Sequence, residues 1–247
     1  MNPVKPVEPD KIQRMFEAAR IASHWGNAQS LRGIAFFRDT APQEVMEALT
    51  TPLTGFQIKN APVLIVWYLE TAAIDNQADR LRELLKVGAL GYGEGKEKAL
   101  EEKFIPIFDM IAEHTKEPGL GELDCGQGIA QATLMAFEQG LGTCCLGTPH
   151  GEEIRKNLGM PESCRVILMQ SVGYPLERPE AGGQRPRLPY EDLFCMNGYG
   201  KPFPRSQAVV DELTRDQMFQ DPAPLPWREA ELDFLQKALN LKGNGLI

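Results

Sequence analysis

The stretch 124–175, DCGQGIAQATLMAFEQGLGTCCLGTPHGEEIRKNLGMPESCRVILMQSVGYP, decides how the chain is read. Its first part carries Ile129, Ala132, Thr133, Ala136 and Phe137 at helical spacing on a face of small residues, so a helix is expected from about 122 to 139. Gly140 stops it, because a left-handed terminal residue costs glycine nothing. LGTCCLG then has the length and apolarity of a short strand. HGEEIRKNLGMP reads as a helix closed by Gly159 and Pro161, and CRVILMQSVGYP as a buried strand. Strands alternating with helices imply a layered domain of α and β elements.

Working outward toward the N-terminus, PVLIVWYL (62–69) is the clearest buried strand, and Arg32 to Phe37 is short and apolar enough for another. Pro42 is placed to open a brief helix through Leu49. Before them, Asp10 is suited to cap a helix with Gln13 three residues on, and Ile12, Phe16 and Ala19 share one face up to about Ser23. Between 78 and 115 the pattern is helical, interrupted at GYGEG. Beyond Pro175 the composition shifts to Pro, Gly and Arg, with two modest helices near 209–219 and 228–239. That tail has little core of its own and is expected to lie on a neighbour.

Composition narrows the partners. With 34 acidic against 26 basic side chains the net charge is −8, and no basic run offers a polyanion a footprint. The longest apolar stretch, Ala61 to Leu69, is about half a bilayer span, and the first residues lack the apolar centre of a signal peptide. We therefore expect a cytoplasmic protein with no nucleic acid or membrane partner. Cys125, Cys144, Cys145, Cys164 and Cys195 show no CxxC pair and no His at ligand spacing, so no metal site is expected, and they read as reduced and mostly buried. His24, His114 and His150 are too scattered for a local site, although His24 beside Asn27 is positioned to line a pocket.

Three features carry chemistry. Asn27-x-Gln29 stands between a helix and a strand, where amides that donate and accept together read the edge of a flat heterocycle or cap a loop. Gly147-Thr148 follows an apolar strand, where a missing side chain lets backbone N–H groups approach a ring or simply turns the chain. Arg185-Pro-Arg187 sets two guanidinium groups on an extended backbone, which suits a phosphate or a solvated surface. There is no GxGxxG, GxxxxGK[ST] or GxSxG, so Rossmann, P-loop and α/β-hydrolase readings are weakened together.

Taken in order, the segments resemble the nitroreductase family of FMN-dependent oxidoreductases. ARIASHWGNAQSLRGIAFF (19–37) is similar to its helix, Asn-x-Gln turn and first strand, and KNAPVLIVWYLE (59–70) to its second strand. Residues 124–175 are similar to its central helix, Gly-Leu-Gly-Thr turn and flavin-side strands, and QRPRLPYEDL (184–193) to its phosphate-binding arginine segment. The resemblance implies an α+β fold, a mixed β-sheet sandwiched between helical layers with an extended C-terminal arm. It implies one FMN-binding domain over 1–247, with a helical insert at about 72–120 and the arm at about 196–247. It further implies a homodimer, formed through the central helix, with FMN at the subunit interface.

On that resemblance Asn27 and Gln29 would bond the isoalloxazine or ribityl chain, Gly147 and Thr148 would lie near N5, and Arg185 and Arg187 would hold the phosphate. NADH or NADPH would reduce the flavin, which would pass electrons to a nitroaromatic, quinone or similar acceptor. No side chain is assigned as catalytic, since the redox chemistry is the flavin's. Two departures bear on this. MNPVKPVEPDKIQR has nothing equivalent to the family's N-terminal Arg-x-Ser-x-Arg, with Lys5, Arg14, Arg20 or Arg32 as substitutes out of register. Gln29-Ser30-Leu31 stands where the family commonly shows Gln-Pro-Trp. The alternative is a flavin-binding or degenerate relative with little turnover.

Overall fold

A computed structural model describes residues 1–52, 54–176, 184–219, 221 and 229–241. The chain divides into two compact units, residues 1–175 and 176–247, and the division falls where the composition turns to Pro, Gly and Arg.

The first unit is built on a four-stranded sheet. Its helix α1 (Pro9–Arg20) leads to β1 (Leu31–Phe37), then to α2 (Gln43–Ala48), α3 (Gly55–Asn60) and β2 (Val63–Glu70). Helix α4 (Gln77–Lys86) follows, and α5 (Lys96–Ala99) continues through a wider turn at Leu100–Phe104 into α6 (Ile105–Lys116). Helix α7 (Leu120–Glu138), β3 (Gly142–Leu146), α8 (Gly151–Asn157) and β4 (Cys164–Gly173) complete the unit. The strand order is β1-β2-β4-β3. All described pairs are antiparallel, where the resemblance implies a mixed sheet.

The alternation of β2 explains the layers. Val63, Ile65 and Trp67 point to one face and pack with Ile12, Met15, Ala19, Ile129, Ala132 and Ala136 of α1 and α7. Leu64 and Val66 point to the other and pack with Leu49, Ile58, Leu146, Ile154 and Met169. A strand covered on both faces reads as one continuous apolar run, which is how 62–69 reads. Helices α1 and α7 approach closely because Gly128 has no side chain: a Cβ there would stand 2.4 Å from Leu31 and 3.1 Å from the Ala19 carbonyl oxygen. The insert has its own small core of Leu81, Leu85, Leu100 and Ile105.

One buried polar chain crosses the main core. The Trp67 Nε1–H donates to Gln170 Oε1 at 2.9 Å, Gln170 Nε2 donates to Thr133 Oγ1 at 2.8 Å, and the Thr133 hydroxyl donates to the Ile129 carbonyl at 2.9 Å. It links β2, β4 and α7 with each side-chain group used, the condition under which buried polar groups specify a core rather than weaken it.

Local expectations fare unequally. Gly140, at φ +72°, terminates α7 as its position implies. Asp10 does not cap α1: the helix opens at Pro9, with Glu8 at the cap position and no side-chain cap bond. Proline supplies a ready φ and has no N–H to satisfy, so the start needs no cap. The cysteines form no disulfide among the described residues. Cys125 and Cys164 are buried, Cys144 is half-buried, and Cys145 and Cys195 are exposed, which corrects the expectation of mostly buried thiols. Burial pushes Cys125 up to about 12, helped by Glu122 and Asp124, and burial pushes Cys164 up to about 11. Both therefore stay protonated thiols at neutral pH and are poor nucleophiles.

In the second unit α9 (Tyr190–Leu193) precedes a bridge between Cys195 and Pro202, followed by α10 (Gln207–Arg215) and α11 (Glu229–Ala238). The start of the last helix expected at 228 lies outside the described residues. No described residue after Gly173 is buried, while Leu188, Phe194, Met196, Tyr199, Phe203 and Met218 are exposed. Among the described residues, then, the tail shows no buried core. Among the described residues no helix is long and apolar enough to cross a membrane.

Candidate flavin site

The loop between α1 and β1 carries the first pair of expected site residues, and its shape is unusual. Gly26, Asn27 and Gln29 have φ of +55°, +55° and +51°, a region that costs a glutamine in particular about 1–3 kcal/mol unless its surroundings impose it. The surroundings are visible. Trp25 N–H donates to the buried Asp124 carboxylate of α7 at 2.7 Å, and its carbonyl accepts from Gln77 Nε2 of α4 at 3.3 Å. The Trp25 ring packs on Phe108 of α6, centroids 4.7 Å apart. A Cβ on Gly26 would lie 2.0 Å from Gln77 Nε2 and 2.5 Å from Phe108. The loop is therefore clamped by three helices, two of them from the insert. Asn27 is half-buried and Gln29 exposed.

Gln29 lines a cleft of the first unit, about 410 Å³, together with Phe16, Arg20, His24, Arg32 and Trp67. Asn27 is not among its lining residues. His24 does line it, as its position beside Asn27 suggests, with Nδ1 3.0 Å from the Ala22 carbonyl and Nε2 buried without a partner. Sequence reading overlooked Arg80 and Asn76, which reach this cleft from the insert; no local motif marks them, because the fold alone brings α4 against the Trp25–Asn27 turn before β1.

Gly147 and Thr148 follow β3 on the opposite edge of the sheet. A Cβ on Gly147 would meet nothing within 4 Å, so its backbone is open to approach, and Thr148 Oγ1 accepts from the His150 N–H at 3.1 Å. Two strands separate β1 from β3, which puts the two edges roughly 14 Å apart at about 4.8 Å per strand. The structure thus does not bring Asn27 and Gln29 together with Gly147 and Thr148 around one ring within a single first unit.

Arg185 and Arg187 lie in the second unit. Both are exposed, and Arg187 Nη1 donates to the carbonyls of Arg185 and Pro186 at 3.2 and 3.0 Å. Of the N-terminal cations, Lys5 sits over the Tyr174 ring at 3.4 Å from its centroid and Arg14 donates to Gln139 Oε1 at 3.4 Å. Arg20 pairs with Glu17 at 2.7 Å, and Arg32 Nη1 donates to the Gln29 and Leu31 carbonyls. Among the described residues no three His, Cys, Asp or Glu side chains gather as a metal site.

An antiparallel sheet between two helical layers, with a clamped amide loop at one edge and an open glycine turn at the other, defines an α+β protein. Residues 105–174 match the Nitroreductase family model, the segment from α6 through β4. A structure from Exiguobacterium sibiricum, assigned as a nitroreductase in complex with FMN, aligns at TM-score 0.63 and 19% identity over 79% of this chain and 90% of that one. A nitroreductase-like protein from Streptococcus mutans aligns at TM-score 0.64 and 18% identity, covering 80% and 91%. A protein from Staphylococcus epidermidis assigned as an NAD(P)H:FMN oxidoreductase aligns at 0.64 and 14%, covering 79% and 88%. No curated protein matches the chain. The nitroreductase resemblance seen in the sequence is borne out by the family match and by the fold.

Proposed function

We propose that this chain is an FMN-dependent oxidoreductase acting as a homodimer, in which NADH or NADPH reduces the flavin and a nitroaromatic, quinone or similar acceptor takes the electrons. One observation supports the reading: Asn27 and Gln29 stand by one edge of the sheet and Gly147 and Thr148 by the other, and two copies paired through α7 would supply both sets to one ring. Helix α7 supports the pairing. Its buried face holds Cys125, Gly128, Ile129, Ala132 and Ala136, yet Leu120, Leu123, Leu134 and Phe137 form an exposed stripe on the other side. A helix apolar on both sides serves two contacts, one with its own core and one with a partner.

The residues present fit FMN in kind. Gln29 offers an amide in a conformation fixed by its neighbours, the Gly147 backbone has no side chain in the way, and Arg185 and Arg187 offer guanidinium groups for the phosphate. Bound there, the flavin supplies two-electron redox chemistry; the chain's part is to bind it, orient it and exclude water. Asn27 and Gln29 would read the polar edge or the ribityl chain, and Gly147 and Thr148 would present backbone N–H groups to the ring. Protons are left to solvent, and no side chain is assigned as catalytic. The protein is read as cytoplasmic.

The test is the visible spectrum of the purified protein before and after FMN is added and excess removed. Retained flavin absorption, followed by oxidation of NADPH or NADH in the presence of a nitroaromatic or quinone, is the expected result. A colourless protein that cannot hold FMN would overturn the reading. A second reading, flavin binding with little turnover, is favoured by the fate of the N-terminal cations: Lys5 is engaged on Tyr174 and Arg14 on Gln139, so neither is held ready for a phosphate. Retained flavin without NADPH or NADH oxidation would select it.

A further inference from the structure

The cleft beside Gln29 has a lining unlike the rest of this acidic chain. Its walls include Arg20, Arg32 and Arg80 and not one Asp or Glu, although the whole protein carries a net charge of −8. Arg20 and Arg80 are paired with Glu17 and Glu83 at 2.7 Å, in solvent-exposed contacts between residues three apart, and such pairs are weak and readily exchanged for a better anion. Arg32 makes no ion pair among the described residues. Its Nη1 is held by two backbone carbonyls, which fixes the guanidinium and leaves its other N–H donors for a ligand.

The remaining wall is largely apolar. Phe16 and Trp67 meet edge to face at 5.5 Å, flanked by Ala19, Ala28 and Leu31. Gly33 is part of the same wall, and a Cβ on it would press on Trp67 at 3.0 Å. His24 adds a buried Nε2 with no partner, an unmet polar atom of the sort a ligand satisfies. A volume of about 410 Å³ falls within the range of small-molecule sites, about 300–1,000 Å³.

We propose that this cleft binds a small aromatic anion, its ring against Phe16, which covers the buried Trp67, and its carboxylate or phosphate held by Arg32 with Arg80 and Arg20. The inference rests on the cleft alone. Of the six residues expected at the flavin it shares only Gln29, and it stands whether or not the chain holds FMN.

The experiment is calorimetric titration of the full-length protein, without nicotinamide, by 4-nitrobenzoate and by 4-nitrophenyl phosphate, with neutral nitrobenzene as control. Saturable binding of at least one anion, tighter than that of nitrobenzene, is expected, and the tighter of the two identifies the anionic group. Losing one charge-assisted contact should weaken it about tenfold or more in Arg32→Gln and in Arg80→Gln. Among the described residues Arg80 is tied only to the exposed Glu83, so its variant stays informative should Arg32→Gln disturb the loop, and unchanged thermal unfolding verifies the fold. Absence of saturable binding, equal binding of nitrobenzene, or indifference to both substitutions would overturn the proposal. So would displacement by FMN but not by riboflavin, which would make the cleft the flavin's own phosphate seat. Failure of the flavin reading shows separately, as a protein that retains no visible absorption.

Discussion

At the scale of single residues, Gly26 and Gln170 each hold a junction that no larger side chain or apolar substitute can serve. Adding one methyl at Gly26 meets Gln77 Nε2 at 2.0 Å and Phe108 at 2.5 Å, at a φ of +55° that L-residues avoid. Gly26→Ala is expected to cost about 1–3 kcal/mol, and to shift Asn27 and Gln29 with the loop. Denaturant unfolding measures the first effect, and FMN affinity, on the proposed function, the second. Gln170→Leu keeps the volume but strands the Trp67 indole N–H inside the core, a loss of about 1–3 kcal/mol that the unfolding midpoint would report. Neither role is legible in the sequence. The Asn27-x-Gln29 motif stands out because its amides suggest chemistry, whereas Gly26 earns its place only from α4 and α6 arriving beside it.

At the scale of elements, one carboxylate ties three of them. The Glu122 carboxylate accepts from the Gly119 N–H at 2.7 Å, at the start of α7, and pairs with Arg165 of β4. Arg165 also donates to the Lys116 carbonyl at the end of α6 at 2.7 Å. Burial works against ionisation of Glu122, but the Gly119 N–H and the Arg165 guanidinium outweigh it and hold the pKa below the ordinary carboxylate value. A carboxyl whose pKa is lower folded than unfolded stabilises the fold fully above its unfolded pKa and loses that contribution as pH falls through the folded one. Glu122→Gln should therefore cost roughly 1.5 kcal/mol at pH 7, and the gap from wild type should narrow as pH falls below the ordinary carboxylate range. Denaturant unfolding at both pH values is the check, and a gap that stays constant would assign the effect to shape rather than charge. The elements themselves are legible because hydrophobic spacing is local information: β2, α7 and β4 stand close to their expected bounds. What spacing leaves open is pairing, and the antiparallel order β1-β2-β4-β3 is what places the two amides and the glycine turn on opposite edges.

At the scale of the whole molecule, the residues expected at the flavin come from three places, and this bears directly on the oligomeric state. Asn27 and Gln29 stand beside the β1 edge, Gly147 and Thr148 beside β3, and Arg185 and Arg187 in the second unit. A monomer of the first unit cannot close its two edges around one ring, since roughly 14 Å of sheet lies between them at about 4.8 Å per strand. The exposed Leu134 and Phe137, 70% and 77% accessible, stand on the α7 stripe. We expect sedimentation to give a dimer, and Leu134→Lys with Phe137→Glu to shift it toward monomer while the secondary structure is retained, because both side chains point away from the core they share a helix with. Flavin retention should fall in step with the dimer fraction, whereas Arg187→Ala should weaken FMN binding by about tenfold through one lost phosphate contact and leave the dimer intact. A double variant that is monomeric yet keeps its flavin would place the whole site within one chain and remove the argument for a shared one.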